Sequence, residues 1–249
     1  MSTITLTFGD VAENHVGMEK IGTKSKEGYS VKFLKELFKK LKDTYICEIH
    51  CLNDILDEDE DDDTDEAVVL VIRNFVNNEE LFEEQSKLIP DDKYYCTRRK
   101  QVLNKRARQN LCFGPESQDA DFENGKGTII KYDDVPKTKE LRDKLMVLFK
   151  EDDLKIEGNY YDDVKKNGIG YHGDTERSKV IGIRLGNDMK LCFVWYERNK
   201  PISGRYILNL KGGDAYIMSH KATGHDWKKS SKVTLRHAAG ADKFINIKS

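Results

Sequence analysis

Six histidines lie along these 249 residues, and one of them, His172, is followed two positions later by Asp174. On an extended segment, side chains two apart project to the same side. An imidazole and a carboxylate so placed, joined by a second imidazole, bind a divalent first-row metal on one face and leave the opposite positions open. Zinc accepts the same ligands, so residue type alone does not fix the metal. Arg236, at the end of Val233-Thr234-Leu235-Arg236, tips the expectation to iron. An oxo-acid that chelates Fe(II) brings a further carboxylate into a partly dry pocket, and a bidentate guanidinium neutralises it well. The chemistry expected is therefore O2-dependent oxidation at a non-haem iron centre with an oxo-acid cosubstrate.

Three histidines compete to complete the ligand set. His225 is expected to be the third ligand. His220 directly follows the apolar run Ala215 to Met218 and is expected to flank the site. His237, next to Arg236, must point to the opposite face of its strand and is expected to be structural.

The elements that would position these groups are mostly short strands. Ile4–Phe8, Tyr45–Leu52, Ala67–Ile72, Thr128–Tyr132, Ile156–Tyr161, Val180–Leu185, Leu191–Tyr196, Ile207–Leu210, Ala215–Met218 and Val233–Arg236 are apolar or β-branched runs, with turn signals between many of them. Three helices are expected. One starts at the N-cap Ser30 and carries Leu34, Leu37, Phe38 and Leu41 on one face. One runs from about Glu79 to Lys87, and one is opened by Pro136. Many strands and few helices indicate a closed or sandwich-like β architecture, an α+β fold with a mainly β core.

Composition sets the outer limits. Charged residues make up 35% and apolar residues 38%, and the net charge is -2, so no global basic field points to nucleic acid. A local one exists: Arg98, Arg99, Lys100, Lys105, Arg106 and Arg108, with Tyr94, Tyr95 and Phe113 nearby. Cations interleaved with aromatics hold a phosphate backbone and stack bases. Asp57 to Glu66 is almost wholly acidic and reads as a solvated loop. Five cysteines without a CxxC pair read as reduced thiols. No leader pattern and no run of about 20 apolar residues is found, so an intracellular, soluble monomer of the cytoplasm or nucleus, without membrane contact, is expected.

From about Val68 to Gly240 the chain resembles the AlkB-like branch of the Fe(II)- and 2-oxoglutarate-dependent dioxygenases. The resemblance rests on the ordered set Asn159-x-Tyr161, His172-x-Asp174-x-Glu176, Ile183-Arg184-Leu185-Gly186, Gly213-Asp214-x-x-x-Met218 and Thr234-Leu235-Arg236. It implies a double-stranded β-helix, or jelly-roll, with supporting helices. It divides the chain into an N-terminal α/β extension, residues 1–66, and a dioxygenase domain, residues 67–249. It implies iron held by His172, Asp174 and His225, O2 as oxidant, and 2-oxoglutarate held by Asn159, Tyr161 and Arg236. The family's second Arg, six positions before the last, is Ser230 here, and Lys232 on the same strand face is the expected replacement. Nucleic-acid bases are the expected substrate, contacted by Tyr94, Tyr95, Arg98, Arg99, Arg106, Tyr171 and Glu176. The same oxidation of a protein side chain or small molecule is the alternative, and a non-catalytic binding module on a degenerate fold is the third.

Overall fold

The computed structural model describes residues 2–57, 64–229 and 231–247. In chain order the strands are β1 (Thr3–Gly9), β2 (Val11–Glu13), β3 (Lys20–Gly22), β4 (Cys47–Cys51), β5 (Val68–Ile72), β6 (Lys93–Cys96), β7 (Gln101–Asn104), β8 (Gln109–Gly114) and β9 (Ile129–Lys131). There follow β10 (Lys155–Tyr161), β11 (Gly168–His172), β12 (Val180–Gly186), β13 (Met189–Glu197), β14 (Lys200–Pro201), β15 (Tyr206–Leu210), β16 (Ala215–Met218) and β17 (Thr234–Gly240). The longer helices are Val31–Leu41, Asn78–Ser86 and Pro136–Phe149.

Two sheets carry the structure. The larger has eight strands in the order β4-β5-β16-β12-β1-β10-β8-β9, and the smaller has β11-β17-β13-β14 with β15 also paired to β13. The fold is thus α+β and mainly β, as the strand pattern indicated. Each expected strand and helix has a counterpart within a few residues.

Period-two alternation explains the layering. In β1, Ile4, Leu6 and Phe8 point to an apolar layer shared with Leu34, Leu37 and Leu41 of the first helix and Leu141, Leu145 and Phe149 of the third. Thr5 and Thr7 point the other way, into a cavity between the sheets. A second apolar layer joins Val69, Val71 and Met218 of the larger sheet to Leu191, Phe193, Trp195 and Leu235 of the smaller. The order is helices, large sheet, small sheet.

The helices are set by local chemistry. Ser30 Oγ accepts the Phe33 amide at 3.1 Å, capping the first helix. Asn77 caps the second, and Pro136 opens the third, which ends on Lys150 in the left-handed region at φ 57°.

The expected boundary between residues 66 and 67 does not divide the structure. β1 lies inside the larger sheet, paired from Thr3↔Tyr161 to Gly9↔Lys155 with β10 and from Thr3↔Gly186 to Phe8↔Ile181 with β12. β4 pairs with β5. β1 and β4 are thus built into the larger sheet, and the partners of β1 lie roughly 150–180 residues away, beyond any local signal. Of the acidic run, residues 58–63 lie outside the described residues.

Candidate metal centre

His172, Asp174 and His237 converge. Their potential ligand atoms all lie within 4.8 Å of one another, and this is the one such group among the described residues. His172 Nε2 is 3.7 Å and His237 Nε2 3.6 Å from Asp174 Oδ1, and the imidazole centroids are 4.4 Å apart.

The backbone accounts for this convergence. His172 and His237 are cross-strand partners on β11 and β17. A register shift between Ile169 and His172 lets both line the cavity although they are three apart. Such a bulge re-aims a side chain that strict alternation would turn away. Asp174, just past the strand, is held by its amide, which donates to Thr223 O at 2.9 Å. That loop-to-loop approach needs Gly173 and Gly224: a Cβ on Gly173 would collide with the Gly224 carbonyl, and Gly224 sits at φ +69°.

The donor chemistry suits a divalent cation. His172 Nδ1 lies 2.8 Å from Gly170 O. A carbonyl only accepts, so Nδ1 carries a proton and Nε2 is the nitrogen turned to the cluster. Burial, and then the neighbouring His172, push the His237 pKa well below its ordinary value, so the His237 imidazole is neutral. His237 Nδ1 is buried without a partner.

A polar network braces the site. Arg177 donates to Glu157 at 2.5 Å and to Glu176 at 3.2 Å. Burial raises the Glu157 pKa, but Arg177 outweighs it and holds the carboxylate below its ordinary range. Asn159 donates to Glu157 at 3.0 Å, and its oxygen accepts from Arg108 at 2.6 Å and Asn110 at 2.8 Å. Asn159 and Tyr161 both line the cavity, as does Glu176. Arg184 of β12 lines it too, 1% exposed.

Several expected site residues lie elsewhere. His225 is not in the cluster: its Nδ1 faces His220 O at 3.1 Å, and the two rings stack at 3.9 Å in the loop after β16. His237, expected to be structural, takes its place. The alternation argument was sound, since Arg236 and His237 do face opposite ways, but the cavity lies on the histidine's side. Arg236 instead stacks over Tyr196 at 4.1 Å and Trp227 at 5.1 Å and donates to Asn199 at 2.6 Å, on the outer face of the small sheet. Lys232 is exposed in the turn before β17. Ser230 lies outside the described residues. Tyr171 faces outward, its hydroxyl donating to Ile245 O at 2.7 Å.

A clue to His237 was present in the sequence: Leu235, His237 and Ala239 share the parity of an apolar inner face. For Arg184 the signal that could have found it is its place as a lone charge inside the apolar run Val180–Leu185.

The basic stretch forms a hairpin, β6–β7, beside a cleft lined by His15, Tyr94, Arg98, Arg99, Lys105, Arg106 and Arg108. Tyr95, on the opposite face of β6, does not line it. His15 stacks on Tyr94 at 3.7 Å, and burial with Lys105 nearby pushes its pKa down to about 4. Burial pushes Lys105 down to about 8, while its ammonium donates to Asn14 at 2.6 Å and Asn110 at 3.0 Å. Arg108 lines both this cleft and the metal cavity. No helix among the described residues is long and apolar enough to cross a membrane.

Comparison with known proteins adds one relative. The chain is 42% identical over 248 residues to the uncharacterized protein R156 of Acanthamoeba polyphaga mimivirus, covering 98% of this chain and 97% of the viral protein. No family model matches the sequence.

Proposed function

The chain belongs to the family of that mimivirus protein, and for it we propose a non-haem Fe(II)- and 2-oxoglutarate-dependent dioxygenase that oxidises a nucleic-acid base. The observation that carries this reading is the meeting of His172, Asp174 and His237 on the wall of a cavity between two sheets. Two imidazoles and one carboxylate on one side, with open space on the other, are the facial set that suits ferrous iron. We read the facing sheets as a double-stranded β-helix whose larger sheet is completed by β1.

Iron bound there would supply O2 activation coupled to oxidative decarboxylation of 2-oxoglutarate to succinate and CO2. The chain's own residues do the rest. His172, held by Gly170 O, presents Nε2, and Asp174 supplies charge that lowers the cost of holding a dication. Arg177 holds Glu157 and Glu176 in place beside the site and keeps the Glu157 carboxylate ionised. Apolar walls from Ile169, Val180, Leu191 and Met218 limit water.

The substrate reading is supported by continuity. The basic cleft meets the metal cavity at Arg108, so a strand held by Arg98, Arg99 and Arg106 would run past the cavity mouth. A base in a duplex would have to be flipped out, and a single strand offers it directly. Incubating the protein anaerobically loaded with Fe(II), then exposed to O2, 2-oxoglutarate and methylated single-stranded oligonucleotides, tests this. Succinate formation and a mass change in the oligonucleotide, both absent in His172→Ala, are expected. Succinate without oligonucleotide oxidation would favour a protein or small-molecule substrate, and no iron-dependent turnover with any substrate would favour a binding module.

A further inference from the structure

We infer that Arg184, rather than an arginine of the last strand, is the anchor for the distal carboxylate of a dicarboxylic oxo-acid. The inference rests on the oxygenase reading above and deepens it by fixing where the cosubstrate's second charge is held.

Three cations among the described residues are buried: Arg177, Arg184 and Lys221. Arg177 has Glu157 and Glu176, and Lys221 has Asp226 at 2.9 Å. Arg184 has no carboxylate partner among the described residues. Its nearest acid electrostatically, Asp214, is taken by Arg73 at 2.7 Å and by the amides of Asn74 and Lys211. A guanidinium has five N–H donors and stays charged. Here one Nη donates to Thr5 Oγ1 and touches Met189 Sδ at 3.9 Å, a weak acceptor, while Nε has no partner.

A buried charge needs a counter-ion and hydrogen-bond partners. Among the described residues Arg184 has no counter-ion and its hydrogen-bond need is only partly met, yet it sits on the wall of the cavity that His172, Asp174 and His237 line. Tyr161 and Tyr216 line the same cavity, and their phenols are close enough to interact with its charge. One part of the cavity is therefore built for a cation and another for an anion. A ligand that chelates metal through its oxo-acid end and carries a second carboxylate satisfies both. A monocarboxylate leaves Arg184 bare.

β1 is what makes this arrangement possible. It occupies the sheet position next to β12 and supplies Thr5, the partner of Arg184 across the Thr5↔Arg184 register. Arg236, the anchor expected from the sequence, is turned to the outer face.

The test is calorimetric, without turnover. The full chain is loaded with Mn(II) under nitrogen and titrated with 2-oxoglutarate or pyruvate. Wild type is expected to bind 2-oxoglutarate at least tenfold more tightly than pyruvate. Arg184→Gln is expected to lose that preference while retaining Mn(II), and Arg184→Lys to recover part of it. Equal affinity of wild type for the two acids, or an unchanged preference in a folded, Mn(II)-loaded Arg184→Gln, overturns the inference and leaves the metal centre standing. Failure of wild type to bind Mn(II) overturns both. Should Arg184→Gln not fold, the wild-type preference and Arg184→Lys decide: full preference with a several-fold weaker lysine variant supports the anchor, and no preference overturns it.

Discussion

Two pairs of histidines in this protein look alike by ring geometry and differ in everything that matters for a metal. His172 and His237 lie 4.4 Å apart, His220 and His225 3.9 Å. The first pair sits on facing strands with Asp174 between its Nε2 atoms. The second is stacked in a loop, with a His225 nitrogen against a backbone carbonyl, and belongs to no three-ligand group among the described residues. The cations repeat the contrast: Arg184 is enclosed without an acid, whereas Arg236 is sandwiched between aromatic rings on the outer face. Residue type marks candidates, but the sheet face that each occupies decides which of them meet.

The sharpest way to break this comparison is to remove one imidazole from each pair. His237→Ala is expected to weaken Mn(II) or Fe(II) binding by more than about 100-fold, since even partners of a ligand cost 10–100-fold. His225→Ala is expected to stay within about threefold of wild type. Equilibrium dialysis with metal analysis distinguishes them, and a reversed order would return the third ligand to the loop.

The next effect is on stability. Arg177→Met strips Glu157 of its buried partner and is expected to cost about 3–5 kcal/mol in urea unfolding. Arg98→Met, on the exposed hairpin, is expected to cost within about 0.5 kcal/mol. Equal losses would mean that the Arg177 network is not braced as the distances indicate.

For the cleft, neutralising Arg98, Arg99 or Arg106 is expected to lower the slope of log K against log salt for single-stranded oligonucleotides by about 1 each. A slope unchanged by all three would remove the cleft from substrate binding.

The smallest effect is a pH dependence. Burial brings Lys105 down to about 8 in the folded protein, against an ordinary value of 10.5. Below pH 8 both folded and unfolded chains carry this charge. Above it the folded chain sheds the proton first, so the unfolded chain binds more protons and this group's contribution to stability rises with pH up to about 10.5. Oligonucleotide affinity should move the other way, falling about threefold as pH rises through 8, because a phosphate contact is lost. Lys105→Arg should flatten that fall, and binding measured by fluorescence anisotropy at pH 7 and 9 checks it.

Much of this was legible in the chain. Ser30 and Pro136 marked their helices because capping and fixed φ act within a few residues. The strands announced themselves as apolar runs, and His172-x-Asp174 stood out by spacing. The rest depended on distant partners. His237 read as structural, yet it is the imidazole that meets His172 and Asp174, because alternation tells which residues share a face, not which face meets the cavity. The bulge before His172 has no local signature. β1 read as part of an appendage because its partners are about 150 residues or more away, and with it went the reason why Arg184, and not Arg236, is enclosed.

The central claim is tested most directly by an anomalous difference map from crystals grown with Mn(II). The account predicts one strong peak within bonding distance of His172 Nε2, Asp174 Oδ1 and His237 Nε2. A peak at His220 and His225 instead, or an ordered protein with the His172–Asp174–His237 site empty at saturating metal, would contradict it.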